Sequence, residues 1–146
     1  MAKNFSAATM DSLALLLIRL PLGVIFFAHG SQKLLGLFGG PGLTGTLRNF
    51  EVHLGIPPLL TLLAIIAEFG GGLGVLCGAF TRLSACGIAV TMAVAMYKVH
   101  WVNGFFLNAS GKGQGIEFTL ALLGMALALV VSGGGQWSLD RFIWKR

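Results

Sequence analysis

The sequence predicts an all-α protein: an integral membrane four-helix bundle with an interfacial helix in the first long loop and an amphipathic C-terminal helix. Three observations predict it. Hydrophobic residues make up 55% of the chain and charged residues only 10%, at a mean hydropathy of +0.85, whereas soluble domains carry about 25% charged residues. Four apolar stretches approach the ~20 residues that a ~30 Å hydrocarbon core requires. The turn between the second and third stretches is too short for anything but an antiparallel hairpin. The 146 residues fit a single domain.

The first span is expected over about residues 12–37. Leu13 to Ala28 has the length of a signal-peptide core, but Arg19 interrupts it and no A-x-A site follows. Pro21 lies inside this span and is expected to kink it and to free a carbonyl one turn earlier, near Arg19. Residues 38–56 begin Phe38-Gly39-Gly40-Pro41-Gly42 and then place Leu43, Leu47, Phe50 and Leu54 at helical spacing, which predicts a short interfacial or re-entrant helix. The second span, 57–79, opens on Pro57-Pro58, where a missing N–H costs nothing. The third, 82–100, follows directly. Residues 101–114 are rich in Gly, Asn, Trp and Phe. The fourth span runs over 115–132, and Trp137 to Arg146 reads as the amphipathic tail, anchored by Trp137 and Trp144.

Four spans place both termini on one side. That side and the 78–82 turn carry Lys3, Arg82, Arg141, Lys145 and Arg146, against Lys33, Arg48, Lys98 and Lys112 on the other. The bias favours cytoplasmic termini by the positive-inside rule. The net charge of +5 is dispersed, with no basic run to track a phosphate backbone, so nucleic acid is not an expected partner. Cys77 and Cys86 match no metal spacing and are expected to be small buried packing residues.

In so apolar a chain, each ionisable residue within a span needs a reason, because a charge at bilayer depth costs at least ~2.5–3.5 kcal/mol. On helical geometry His29, Lys33, Lys98, His100 and Glu117 gather at the outer end of the bundle, with Arg19 and Glu68 below them at similar depth. The stripes that carry these residues also carry small side chains: Arg19, Gly23, Phe26, Gly30 and Lys33; Ala64, Glu68, Gly71, Gly72 and Val75; Ala89, Ala93, Met96 and His100; Glu117, Ala121, Gly124 and Ala128. Such stripes are interhelical faces in membranes, so the charges are expected to point inward.

Two readings follow. In one, Arg19–Glu68 and Glu117 with Lys33 or Lys98 are structural ion pairs. In the other, the outer group forms a polar pocket for a quinone head group or a small oxyanion. His29, Lys33, His100 and Glu117 would then be catalytic, because histidine exchanges protons near neutral pH, a carboxylate beside it relays them, and lysine holds a carbonyl oxygen. Arg19, Glu68, Lys98 and Trp101 would bind the cofactor. His29 and His100 lie at helix ends without a CxxCH or a second His pair, and no Cys/His cluster is present, so neither haem nor a metal is expected.

These residues, in this order, resemble the DoxX family of four-helix bacterial membrane proteins. The resemblance runs from about Leu15 to Asp140. It comprises Arg19-Leu20, His29-Gly30 and Lys33-Leu34; Gly39-Gly40-Pro41-Gly42 and Leu54-Gly55-Ile56-Pro57; Glu68 with Gly71-Gly72; Gly78 and Thr81-Arg82; Gly115 and Glu117; and Ser138-Leu139-Asp140. It implies redox work in the bacterial cytoplasmic (inner) membrane. Family members are linked to quinol oxidase and thiosulfate:quinone oxidoreductase complexes, to quinone or catechol stress, and to thiol and superoxide defence. Arg19, His29, Lys33, Glu68 and Glu117 carry over as the family's polar set.

The function expected is therefore a quinone-linked redox membrane protein, with quinone as cofactor and a protein partner from a redox complex. The alternatives are a non-catalytic anchor or assembly subunit, and a small transporter for an anion or hydrophobic compound. The last would require homo-oligomers.

Overall fold

The computed structural model describes residues 6–107 and 113–144. Lys3, Lys112, Lys145 and Arg146, which entered the charge bias, lie outside them. The described residues fold into helices α1 (Ala7–Leu35), α2 (Gly42–Asn49), α3 (Pro58–Cys77), α4 (Thr81–Ala95), α5 (Glu117–Ser132) and α6 (Leu139–Ile143). They include no named strand, only an isolated bridge between Leu107 and Gln114.

Each boundary has a local cause. The Ser6 side chain accepts from the Thr9 N–H and starts α1 five residues before the span expected from hydropathy. Gly36, at φ 72°, ends α1 in the left-handed conformation. The helix continues through Pro21, whose missing N–H leaves the Leu17 carbonyl without its i+4 partner. Pro58 opens α3 and Gly78, at φ 70°, closes it. The helical register of α4 passes at Met96–His100 into a π-turn.

Helix α1 packs most heavily on α3, α4 lies between α3 and α5, and a smaller α1–α5 contact closes the bundle. The core joins Leu22 and Phe26 of α1, Val75 of α3, Ala85, Ile88, Ala89 and Met92 of α4, and Leu122, Ala126 and Leu129 of α5. Outside it, Leu17, Val24, Leu59, Ile66, Leu83, Val90, Leu127 and Val131 are exposed all round. A bundle apolar on its outside as well as inside is built for lipid. Helices α1 and α3, and α4 with its continuation to Asn103, are long and apolar enough to span a membrane; α5, with 16 residues, is apolar but shorter.

The α1–α3 contact confirms two of the four small-residue stripes. A Cβ on Gly72 would lie 2.4 Å from the Phe27 nitrogen, and one on Gly23 would lie 2.8 Å from the Leu76 nitrogen. The other two stripes are corrected. On α5 the buried residues are Thr119, Leu122, Ala126 and Leu129, while Ala121 and Gly124 are exposed. The α5 face that meets α4 is Leu122, Ala126 and Leu129, about a third of a turn from the expected stripe. On α4 Ala93 is exposed, and beyond Met96 the π-turn takes an extra residue, so a 3.6-residue phase no longer predicts where Lys98 and His100 face. Cys77 and Cys86 are free and exposed, not buried.

The loop helix forms as α2 and a π-turn at Phe50–Leu54. Thr46 fixes it to the end of α1, its hydroxyl donating to the Lys33 carbonyl at 3.2 Å. The described tail contains only the five-residue α6.

Candidate functional site

The expected deep pair does not form. Close contacts of Gly23 with Leu76, Gly72 with Phe27 and Gly30 with Phe69 fix the register of α1 on α3. That register brings Arg19 level with Val75 and Leu76, about 11 Å along α3 from Glu68 at ~1.5 Å per residue. Glu68 instead lies within reach of Lys33.

Arg19 is 1% exposed and donates to four backbone carbonyls. Its Nε reaches Val75 O at 2.8 Å, Nη2 reaches Leu76 O at 3.0 Å, and Nη1 reaches Gly134 O and Trp137 O, both at 2.9 Å. Two of these carbonyls belong to the last turn of α3, where carbonyls lack their i+4 helical partners. The other two belong to the segment after α5. Asp140 completes the clamp. Its carboxylate accepts from the Phe80 N–H at 2.6 Å and the Thr81 N–H at 2.9 Å, and its own N–H donates to Gly78 O at 2.8 Å. It therefore caps α4 from a distance and holds Phe80 in a left-handed conformation, φ 48°, which costs a non-glycine residue about 1 kcal/mol or more. One guanidinium and one carboxylate thus tie the interior of α1 to the ends of α3, α4 and α5.

At the other end, Lys33 Nζ lies 2.5 Å from Glu68 Oε1 and 5.7 Å from the centroid of the Phe50 ring. The Glu68 side chain is 3% exposed and that of Lys33 is 24% exposed, so the pair has one buried and one accessible member. Helix α2 and its π-turn bring Phe50 over it. His29 stands one turn before Lys33 on α1 and is exposed.

The remaining predicted residues form a second, separate group. His100 Nδ1 lies 2.9 Å from the Gln114 carbonyl, which also accepts from the Asn103 side chain at 3.2 Å. Glu117 Oε1 accepts from the Leu107 N–H. These contacts tie Gln114 to the residues that follow α4 and Leu107 to the start of α5. Neither Glu117–Lys33 nor Glu117–Lys98 is a pair among the described residues. Lys98 and Trp101 are exposed. The structure therefore divides the single expected outer pocket into a Lys33–Glu68 pair on one flank and a loop network on the other. Phe50 and Asp140 are the residues that sequence reasoning left without a role. The Ser138-Leu139-Asp140 motif was the available signal for the second.

The DoxX profile matches residues 14–101, a stretch that contains Arg19, His29, Lys33, Glu68, Lys98, His100 and Trp101. The chain belongs to the DoxX family. DoxX chains similar to it extend the likeness past the profile. One is the Bacillus subtilis protein named "Putative oxidoreductase CatD", 30% identical over 99% of this chain and 93% of the relative. Another is inner membrane protein YqjF of Escherichia coli, 29% identical over 94% of this chain and 97% of the relative. Uncharacterized membrane protein Rv3486 of Mycobacterium tuberculosis is 33% identical over 88% of this chain and 80% of its own length. No solved structure matches the chain. With the apolar exterior, the DoxX membership makes this a membrane protein.

Proposed function

We propose that this DoxX protein serves a quinone-linked redox system of the bacterial cytoplasmic membrane, and that the Lys33–Glu68 pair, with Phe50 over it and His29 at its rim, is the working site. The observation that carries the reading is the pair itself. A carboxylate 3% exposed in an apolar helix is held by a lysine that keeps 24% exposure. A buried structural pair gains nothing from such asymmetry, whereas a binding site needs one accessible cation. Lys33 offers N–H donors to a carbonyl oxygen, Phe50 offers a ring face, and Glu68 holds the lysine in position. These residue types fit a quinone head group, which would supply the two-electron chemistry that the side chains lack. The relative named an oxidoreductase supports the class of reaction, and the relative named an inner membrane protein supports the location. With the termini in the cytoplasm, the pair lies in the outer half of the bilayer.

The test is the binding of a short-chain quinone to purified protein, followed by tryptophan fluorescence, in wild type, Lys33→Met and Glu68→Gln. The expected result is binding weakened by about tenfold or more in either variant, the worth of one charge-assisted hydrogen bond. Unchanged binding in both variants would move the site elsewhere. No binding in wild type, with only the recovery of co-purifying chains altered in the variants, would make the protein an anchor subunit.

A further inference from the structure

At the opposite end from Lys33, a cleft of about 410 Å³ opens beside the Asp140 clamp, lined by Phe80–Leu83, Gly133–Gly135, Ser138, Asp140, Arg141 and Trp144. None of its residues belongs to the site proposed above. Two guanidiniums line it, and within the described residues neither Arg82 nor Arg141 forms an ion pair. The one carboxylate, Asp140, already accepts from two backbone N–H groups, so the free charge of the cleft is positive. Thr81 lines the cleft too. It is 0% exposed, and its hydroxyl is the one buried side-chain polar atom without a hydrogen-bond partner among the described residues. Such orphaned groups are uncommon, because each costs about 1–3 kcal/mol.

The cleft depends on glycine. A Cβ at Gly134 would lie 2.7 Å from the Thr81 hydroxyl and 2.6 Å from Ser138 Cβ, and one at Gly133 would press on the Arg82 side chain at 3.4 Å. Gly133 and Gly135 also hold φ 77° and 75°, a region that favours glycine. Around the rim, Phe80, Leu83 and Trp144 are exposed. A cleft lined by two exposed guanidiniums, with exposed aromatic and aliphatic side chains at its rim, matches a lipid whose charged head and acyl chains must both be met.

We propose that this cleft binds a phosphate-type oxyanion, carried by the headgroup of an anionic phospholipid, with Arg82 and Arg141 as the cationic partners. Guanidiniums suit the phosphate because their planar forks donate two parallel bonds.

The test is native mass spectrometry of the full chain in detergent, titrated with phosphatidylglycerol, with phosphatidylcholine, or with inorganic phosphate. The expected result is selective retention of phosphatidylglycerol. Arg82→Gln and Arg141→Gln should each weaken it by about tenfold, the factor one charge-assisted hydrogen bond carries. Equal retention of both lipids, or retention indifferent to both arginine substitutions, would overturn the site. Binding of inorganic phosphate without preference for phosphatidylglycerol would overturn the lipid as its source.

Discussion

Replacing Arg19 by methionine tests the clamp. Methionine keeps much of the length of the side chain and removes all four donated bonds. Val75 O keeps a second partner, the Gly78 N–H at 3.2 Å. The Leu76, Gly134 and Trp137 carbonyls lose the bond that Arg19 gives them, and a buried acceptor left bare costs about 1–3 kcal/mol. Releasing the desolvated guanidinium offsets part of this. Three bared acceptors at that cost, less the recovered desolvation, give an expected loss of about 3–5 kcal/mol. It corresponds to a thermal midpoint lowered by roughly 10 °C for a chain of this size. Arg19→Lys should lose about half as much, since one ammonium cannot reach both the α3 carbonyls and the Gly134–Trp137 side. The assay is thermal unfolding in detergent, with Glu68→Gln and the Arg19→Met/Glu68→Gln double variant completing a cycle. Arg19 and Glu68 should be additive within about 0.5 kcal/mol, as for groups out of contact. A coupling above about 1 kcal/mol, or an Arg19→Met protein as stable as wild type, would refute the register and the clamp together.

Two further outcomes are expected. Gly72→Ala places a Cβ 2.4 Å from the Phe27 nitrogen and should cost about 1–3 kcal/mol by overpacking, whereas Gly124→Ala, with nothing within 4 Å of the added atom, should be neutral or stabilising by up to about 1 kcal/mol; paired thermal unfolding separates them. Asp140→Asn should weaken the cap on α4 by about 0.5–2 kcal/mol, read as faster hydrogen exchange at the Phe80 and Thr81 amides than at residues further along α4.

The helices were legible because their signals are local. Length and hydropathy place the spans, and Pro57-Pro58 and Gly78 mark their ends. Glycine spacing marked the α1–α3 interface correctly, because there both backbones must approach. The pairing of charges was not legible. Arg19 and Glu68 share the right faces, but the register between two helices depends on which side chains interdigitate, and a shift of about two turns exchanges one partner for another. The same inference failed on α5, where the small residues Ala121 and Gly124 face outward. Arg19 also shows why counting acids against bases misleads in a membrane: its partners are carbonyls, which no composition reveals. The π-turn at Met96–His100 adds a phase error that periodicity cannot anticipate.

Helix α1 has 29 residues and α5 has 16, about 43 Å and 24 Å of rise respectively. Of two helices in contact with each other, one is therefore taller and one shorter than a ~30 Å hydrocarbon core. A bilayer that meets both must thin by several ångströms at α5 and be overreached at α1, at a cost of fractions of a kcal/mol per Å.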